Sequence, residues 1–233
     1  MKENTRVLFA DDDADTRKVV GEILQTAGIE TVFADNGLQA IQAWQTHPVD
    51  LIILDYMMPV LDGIETCRRI RHASVIPIIL LTAKGREEDI INGFKAGADD
   101  YIVKPIRTRE FIARVHAILN RVSRQSITSD RQMVFEDLVL DSRARQVISQ
   151  GKRVYLSPLE FRLLQYLMQH AGMTISKIDL LYNVWGFCEL AGEINFIEAA
   201  IKRLRRKIEP NPAHPKYIQT VWGTGYRFGG HST

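Results

Sequence analysis

The sequence predicts an α/β domain with a doubly wound, five-stranded parallel sheet, followed by a smaller α+β domain. Two observations lead to this prediction. In the first half of the chain, short apolar runs alternate five times with segments of helical period, which is the pattern of strands and crossover helices. In the second half, short strand-like runs precede three amphipathic segments and a terminal pair of strands around a glycine turn.

The run that ends at Asp55 is the clearest predicted strand. Residues Leu51–Leu54 are all apolar and lead directly into a carboxylate, which is typical of a strand buried on both faces of a parallel sheet. The five predicted strands are Arg6–Ala10, Thr31–Phe33, Leu51–Asp55, Pro77–Thr82 and Tyr101–Val103. The predicted helices start near Asp15 and then cover Leu38–Trp44, Gly63–Ile70, Glu87–Ala96 and Thr108–Asn120.

Charge divides the chain into two parts. Through Arg121 there are 15 Lys and Arg against 18 Asp and Glu, a net charge of −3, whereas the remainder has 15 against 10, a net charge of +5. An acidic half followed by a basic half indicates two domains with different partners and favours nucleic acid as the partner of the second. We expect one domain over 1–121, a polar linker over 122–132 and a second domain over 133–230.

The composition gives no sign of a membrane or secreted protein. The longest apolar runs are far shorter than the ~18 residues that a membrane helix needs. No apolar segment typical of a secretory signal opens the sequence, and Cys67 and Cys188 match no metal or redox spacing. We therefore expect a cytoplasmic protein with reduced thiols and no membrane contact.

Polar residues stand at the carboxyl ends of several predicted strands. They are Asp11, Asp12, Asp55, Thr82 and Lys104. In an open parallel sheet these ends share one edge, where ligands bind. Clustered carboxylates repel one another unless a cation joins them, and hard oxygen ligands suit Mg²⁺. Since a carboxylate can act as a nucleophile and become an aspartyl-phosphate, the set indicates Mg²⁺-dependent phosphoryl transfer onto Asp55, with Lys104 as the positive charge for the phosphoryl group.

Three other interpretations of these residues are less favoured. Alone, Asp55 would be read as a capping residue where a strand meets a turn. A haloacid-dehalogenase-type phosphatase would need a second Asp two residues after the nucleophile, and that position is Met57. No glycine-rich dinucleotide turn follows the first strand. We expect that the chain accepts a phosphoryl group on Asp55 and that it is not an enzyme.

The region from about Thr5 to Arg121 resembles the receiver domain of bacterial response regulators, which has a flavodoxin-like fold. The motifs that carry the resemblance are Asp11-Asp12, Leu54–Pro59, Asp62-Gly63, Leu81–Ala83, and Gly97–Tyr101 with Lys104-Pro105. The resemblance implies that Asp55 is the phosphoacceptor. It implies that Mg²⁺ is bound by Asp12, Asp55 and the backbone carbonyl of Met57, with Asp11 acting largely through water.

The same resemblance implies a switch and a dimer. Lys104 would pair with the phosphoryl group, Pro105 would follow a cis peptide bond, and Thr82 and Tyr101 would form the switch pair. The phosphorylated domain would dimerise through its fourth helix, fifth strand and fifth helix. The candidate interface residues are Lys95, Asp99, Asp100, Glu110, Arg114 and Arg121.

The second half ends with a basic helix and a hairpin. Its predicted strands are Leu138–Leu140, Val147-Ile148 and Val154–Leu156, its helices begin at Ser157-Pro158, Ser176 and Asn195, and two strands flank the turn at Gly223. In the third helix, Ile197, Ile201, Leu204 and Ile208 define a buried stripe. The cations predicted opposite the stripe are Lys202, Arg203 and Arg206, with Arg205 and Lys207 on its flanks. Such a charge run can be only a solvated face, but three helices with a terminal hairpin favour a winged helix-turn-helix whose third helix enters the major groove.

Four motifs in this half resemble the DNA-binding domain of OmpR/PhoB-type regulators. They are Leu156–Phe161, Val184–Gly186, Ile201–Ile208 and Gly223–Phe228. The resemblance implies DNA contacts from Asn195, Lys202, Arg203, Arg205 and Arg206 and from Thr224 and Arg227 in the wing. Two departures stand out: many members begin the third helix with Arg-Thr-Val-Asp-Val-His where this chain has Asn195–Ala200, and some carry an arginine where Trp222 stands.

Together these observations predict a two-component response regulator. A sensor histidine kinase would phosphorylate Asp55, and the resulting homodimer would bind promoter half-sites or direct repeats in double-stranded DNA and alter transcription, with RNA polymerase as a further partner. The alternatives are a phosphorylation-independent DNA-binding regulator with a vestigial receiver and a phosphorelay adaptor that binds only proteins. The intact Asp, Thr and Lys set disfavours the first, and the basic third helix disfavours the second.

Overall fold

The computed structural model describes residues 5–83, 87–123, 132–142, 144, 146–185 and 195–229. Side chains are not described at 87–91, 120–123 and 195–196. The chain separates into two compact units, Met1–Arg124 and Gln125–Thr233. In the parts of the chain that are described, no helix combines the length and the apolar character needed to cross a bilayer.

The first unit is a five-stranded parallel sheet with helices between its strands. The strands are β1 (Arg6–Ala10), β2 (Glu30–Ala34), β3 (Leu51–Asp55), β4 (Ile78–Thr82) and β5 (Asp100–Val103). The helices are α1 (Ala14–Thr26), α2 (Gly37–Thr46), α3 (Gly63–Ala73), α4 (Glu87–Ala96) and α5 (Thr108–Ser123). The strand order is β2-β1-β3-β4-β5, and every pairing is parallel. The predicted doubly wound sheet is confirmed.

The order places β3 at the centre of the sheet, where all five of its residues are buried. One face of the sheet forms a core with α1 and α5, in which Val7, Ile53 and Leu81 pack against Val20 and Phe111. Burial on both faces explains why the β3 and β4 segments are continuous apolar runs, as expected for inner strands of a parallel sheet.

Side-chain caps fix where three of the helices begin. Asp13 caps α1, Asn36 caps α2 and Asp62 caps α3, each by accepting hydrogen bonds from backbone N–H groups of the first turn. The carboxylate of Asp13 is therefore engaged at the start of α1. Each cap sets the point where the chain leaves the carboxyl edge of the sheet.

The second unit contains two small antiparallel sheets and a helical core. Strands β6 (Gln132–Phe135), β7 (Leu138–Asp141), β8 (Gln146–Ser149) and β9 (Lys152–Val154) form a meander. Helix α6 (Pro158–Gln169) is followed by β10 (Thr174–Ser176), α7 (Lys177–Leu180) with a wider π-helical turn over Leu181–Trp185, and α8 (Asn195–Ile208). The hairpin of β11 (Ile218–Val221) and β12 (Gly225–Phe228) pairs with β10 in the order β10-β12-β11.

The sequence predicted the three helices and the terminal hairpin but missed two strands. The first is β6, which pairs with β7, and the second is β10, which joins the hairpin. Each has only three or four residues, too few for alternation to be visible in the sequence. Gly225 permits the pairing of β10 with β12, because a Cβ at this position would lie 2.0 Å from the carbonyl oxygen of Ile175 in β10.

Candidate phosphoacceptor site and DNA-binding surface

Three carboxylates meet at the carboxyl edge of the first unit. Asp11 and Asp12 follow β1, and Asp55 ends β3. Each offers a carboxylate oxygen, and these oxygens all lie within 4.8 Å of one another. Asp11 and Asp55 are buried, whereas Asp12 is exposed. Oxygen donors in this number and spacing fit a small hard cation such as Mg²⁺, so the predicted cluster is present.

Lys104 places a positive charge against two of the carboxylates. Its Nζ lies 2.6 Å from Oδ1 of Asp55 and 2.8 Å from Oδ2 of Asp11. The pKa of Asp55 is raised, mainly because the carboxylate is buried. The hydrogen bond and the charge of Lys104 lower it in part, and the charge of Asp11 raises it further. Burial alone would lower the pKa of Lys104, but the bonds to Asp11 and Asp55 outweigh it, so that its pKa is raised.

Backbone contacts fix the position of Asp55. The Met57 N–H donates to Oδ2 of Asp55 over 3.0 Å, and the Tyr56 N–H donates to the carbonyl oxygen of Leu81 over 2.7 Å. Helix α3 begins directly against this strand end: a Cβ on Gly63 would lie 2.0 Å from the carbonyl oxygen of Asp55. Only a glycine permits that approach, which gives the Asp62-Gly63 motif a physical reason.

The two predicted switch residues lie next to each other on β4 and β5. Thr82 and Tyr101 are 3% and 5% exposed and line one small cavity, together with Phe94. The Tyr101 ring meets the edge of the Phe94 ring, with 5.8 Å between their centroids. The Lys104 N–H donates to the carbonyl oxygen of Thr82 over 2.7 Å, which ties the lysine to the switch strand. The Lys104-Pro105 peptide bond is cis, as predicted.

The candidate dimer residues divide into exposed and internal side chains. Lys95 is exposed, and the Glu110 side chain is 45% exposed. Asp99 and Asp100 are buried and paired within the chain: Asp99 with Arg71 over 2.8 Å, and Asp100 with Arg114 over 3.4 Å. Arg114 also pairs with Glu110 over 2.8 Å. The side chain of Arg121 lies outside the described residues.

Helix α8 presents two exposed cations to a groove. Ile197, Ile201, Leu204 and Ile208 are buried as the stripe predicted. Lys202 and Arg206 are exposed and line a groove of about 840 Å³, which is bounded by α8, the start of α7 and the β11–β12 turn. An exposed pair of cations beside a concave surface suits a phosphate backbone.

The positions of Arg203 and Arg205 differ from the sequence expectation. The Arg203 side chain is only 12% exposed and its Nε lies 3.8 Å from Oε1 of Glu160, so Arg203 faces α6 and not open solvent. Arg205 donates to the carbonyl oxygen of Ile218 over 2.7 Å and to the Thr220 hydroxyl over 2.9 Å. Helical periodicity places side chains around one helix, but it contains no information about which neighbours cover them.

The remaining predicted DNA contacts lie in the wing and at the start of α8. Thr224 is exposed in the β11–β12 turn. Arg227 is half-buried and donates to Gln219 across the hairpin over 3.0 Å. The side chain of Asn195 lies outside the described residues.

Sequence reasoning missed Glu160, the residue that connects α6 to α8. It is 2% exposed, accepts from the backbone N–H of Ser157 over 2.8 Å, and lies 2.6 Å from Nζ of Lys207. The signal was present in the sequence, since Ser157 and Glu160 have the S-x-x-E spacing of a capping box, and the reciprocal hydrogen bonds are formed. The contact with Lys207 has no local sequence signal.

Comparisons with known proteins agree with both units. Residues 7–116 match the family of response regulator receiver domains, and residues 151–228 match that of transcriptional regulatory protein C-terminal domains. The chain is 40% identical to the transcriptional regulatory protein ResD of Bacillus subtilis, with 96% of this chain and 95% of the relative covered. It is also 40% identical to the DNA-binding dual master transcriptional regulator RpaA of Synechocystis, with coverage of 95% and 93%.

A solved structure gives the same assignment. The response regulator DrrB of Thermotoga maritima, described as an OmpR/PhoB homolog, is 32% identical, with a TM-score of 0.50 and coverage of 97% of this chain and 100% of that one. The matches extend over both units and nearly the full length of the relatives. The chain belongs to the OmpR/PhoB-type response regulators, in which a receiver domain is followed by a DNA-binding domain that controls transcription.

Proposed function

We propose that Asp55 accepts a phosphoryl group from a phosphohistidine of a sensor histidine kinase. The observation that carries the proposal is the cluster of Asp11, Asp12, Asp55 and Lys104 at one sheet edge. In the transfer, the N–P bond of the phosphohistidine breaks, a bond forms between phosphorus and a carboxylate oxygen of Asp55, and the released imidazole takes up a proton. Burial raises the pKa of Asp55, and the hydrogen bond and charge of Lys104 oppose that rise and so favour the charged, nucleophilic form of its carboxylate.

We propose that Mg²⁺ is held by Asp12, Asp55 and the Met57 carbonyl, with Asp11 acting through water. When bound, Mg²⁺ supplies the positive charge that lets an anionic phosphodonor approach clustered carboxylates. The protein residues supply the rest: Lys104 meets the phosphoryl oxygens, and the Met57 N–H orients Asp55. Met57 itself is 62% exposed and apolar, so it cannot orient a hydrolytic water, and we expect a long-lived phosphoryl group.

The proximity of Thr82 and Tyr101 supports a switch function for this pair. On phosphorylation, the Thr82 hydroxyl would bind a phosphoryl oxygen and Tyr101 would fill the space beside Phe94. Strand β5 carries both Tyr101 and Asp100, which is ion-paired with Arg114 of α5. A movement of Tyr101 would therefore alter the surface formed by α4, β5 and α5.

We propose that this surface forms an isologous homodimer when Asp55 is phosphorylated. Lys95, Glu110 and Arg114 would meet the second copy, together with Arg121. Asp99 and Asp100 are buried, so we propose that they position arginines: Asp99 pairs with Arg71, and Asp100 pairs with Arg114. The dimer would present two DNA-binding units to half-sites or direct repeats.

We propose that the receiver covers 1–121, the linker 122–132 and the DNA-binding domain 133–230. We also propose that the DNA-bound dimer contacts RNA polymerase.

For DNA, the exposed cations support Lys202 and Arg206 as the contacts of α8. Arg203 and Arg205 then act as positioning residues, since Glu160 and the β11 carbonyl occupy them. Lys202→Ala should weaken binding to specific and scrambled duplexes alike and lower the salt slope by roughly one unit. An unchanged slope would remove Lys202 from the phosphate contacts.

Intact-mass measurement after treatment with acetyl phosphate and Mg²⁺ tests the phosphoacceptor. Wild type should gain one phosphoryl group, Asp55→Asn should gain none, and Asp12→Ala should gain less because it loses a metal ligand. Asp35→Asn is the matched control, because Asp35 is an exposed carboxylate outside the cluster. Equal labelling of wild type and Asp55→Asn would overturn the assignment.

A further inference from the structure

Helix α1 carries an arginine close to its start, where the helix dipole disfavours positive charge. Arg17 is the fourth residue of the helix, after the acidic side chains of Asp13 at the cap and Asp15 in the first turn. Carboxylates suit this end of a helix because its free N–H groups carry partial positive charge, and a cation there is repelled. A contact outside the helix offsets this unfavourable position.

The Arg17 side chain turns back toward the end of β1. Its Nη1 donates to the backbone carbonyl oxygen of Asp11 over 2.6 Å, and the residue is half-buried. A hydrogen bond from a charged donor is short and roughly twice as strong as a neutral one. The carbonyl group belongs to the peptide that joins Asp11 to Asp12, so the guanidinium holds the link between two of the three clustered carboxylates.

The other contacts around this peptide hold Asp11 and Asp13. Oδ2 of Asp11 binds Lys104 over 2.8 Å, and Oδ1 of Asp11 accepts from the Asp13 N–H over 2.9 Å. Asp13 in turn caps α1. Asp12 lies between them with an exposed side chain, so the direction of its carboxylate depends on the backbone that carries it. The bond from Arg17 fixes the backbone at that point.

We propose that Arg17 is a positioning residue of the Mg²⁺ site, which fixes the peptide between Asp11 and Asp12 so that the Asp12 carboxylate faces those of Asp11 and Asp55. The inference rests on the proposed Mg²⁺ site and adds to it a residue that does not touch the metal. Groups that orient metal ligands without binding the metal change its affinity by about 10- to 100-fold when they are removed. Arg17 belongs to this class, since its guanidinium contacts the backbone next to a ligand and carries the same sign of charge as the cation.

The sign of the effect distinguishes positioning from charge. Arg17→Met keeps the apolar stem of the side chain and its helix propensity, but removes both the donor and the charge. Loss of a nearby positive charge would by itself strengthen the binding of a divalent cation. Loss of a positioning contact weakens it. We expect the dissociation constant for Mg²⁺ to rise roughly tenfold, at the lower end of the range because Lys104 and Asp13 still hold Asp11.

Isothermal titration calorimetry of the full-length, unphosphorylated chain with MgCl₂ measures this constant. Arg17→Lys should recover part of the affinity, because the ammonium group can still donate to the Asp11 carbonyl. Lys18→Met is the matched control: Lys18 is the next residue of α1 and is exposed, so the substitution removes the same charge without removing the contact. Its dissociation constant should equal that of wild type or be lower. The melting temperature without Mg²⁺ is recorded for each variant, because a purely structural contact would lower that temperature and leave the dissociation constant unchanged.

Asp12→Ala separates the inference from the proposed site. This variant should lose most of its affinity for Mg²⁺, because it lacks a proposed ligand. If Arg17→Met bound Mg²⁺ as tightly as wild type or more tightly, or if Lys18→Met lost as much affinity as Arg17→Met, the inference would be overturned. The proposed Mg²⁺ site would still stand in that case if Asp12→Ala bound Mg²⁺ more weakly than wild type. A wild-type chain that bound no Mg²⁺ would refute the proposed site itself.

Discussion

Removal of the buried carboxylate of Glu160 should destabilise the DNA-binding unit strongly. The side chain accepts from the Ser157 N–H and from Lys207, and it faces Arg203. Glu160→Ala removes the partner of two cations and opens the capping box. Removing one partner of a buried pair costs about 3–5 kcal/mol. Lys207 is 30% exposed and can regain water, so we expect a loss at the lower end, about 3 kcal/mol.

Glu160→Gln separates charge from hydrogen bonding. The amide oxygen can still accept from the Ser157 N–H, but the attraction to Lys207 and Arg203 is lost. We expect a smaller decrease in the free energy of unfolding, about 1–2 kcal/mol. Urea unfolding followed by the fluorescence of Trp185, which is 1% exposed, measures both variants. A Trp44→Phe background confines the signal to the second unit.

A matched ion pair at the surface provides the control. Glu136 pairs with Lys216 over 2.5 Å, but the two side chains are 48% and 42% exposed. Glu136→Gln should therefore change the free energy of unfolding by less than about 1 kcal/mol. If Glu160→Ala cost no more than this control, Glu160 would not be the anchor between α6 and α8, and the positioning function assigned to Arg203 would have no support.

Three further predictions concern the phosphoacceptor site and the wing. Gly63→Ala should cost about 1–3 kcal/mol in thermal unfolding, because its Cβ would lie 2.0 Å from the Asp55 carbonyl oxygen; an unchanged Tm would contradict the close approach. Met57→Asn should speed dephosphorylation in a mass-resolved time course, since an amide can orient water, and an unchanged rate would refute the argument from the apolar side chain. Burial, followed by the charge of Glu198, raises the pKa of Tyr226 from 10.0 to about 12. The neutral phenol of Tyr226 therefore contributes its full stabilisation below pH 10.0, the unfolded value, and this contribution is lost as the pH rises through about 12, the folded value. Tyr226→Phe should reduce the decrease in the free energy of unfolding over this pH range, which urea titrations at several pH values measure.

The sequence was most informative where local chemistry and topology agree. The apolar run of β3 requires burial on both faces, and strand ends in a parallel sheet share one edge, so the sequence predicts that Asp11, Asp55 and Lys104 lie together. The stripe of α8 was equally predictable, because a period of 3.6 residues places its isoleucines and leucine on one side.

Long-range pairing was not predictable in the same way. Arg203 was expected in solvent, but Glu160 on another helix draws it inward. Asp99 and Asp100 were expected at a dimer surface, yet both are buried against arginines of α3 and α5. In each case the partner lies 14 or more residues away in the sequence, and helix or strand periodicity gives no information about contacts at that separation.

Phosphorylation of Asp55 and binding of DNA are coupled if the chain works as a switch, and one titration series measures that coupling. The affinity of wild type and of Asp55→Asn for a duplex that the full-length chain selects from a random pool is determined by fluorescence anisotropy, with and without acetyl phosphate and Mg²⁺. Wild type should tighten on phosphorylation by roughly 5- to 150-fold, the usual range for two coupled sites, and Asp55→Asn should not respond. Identical affinities for phosphorylated and unphosphorylated wild type would show that the receiver does not control DNA binding.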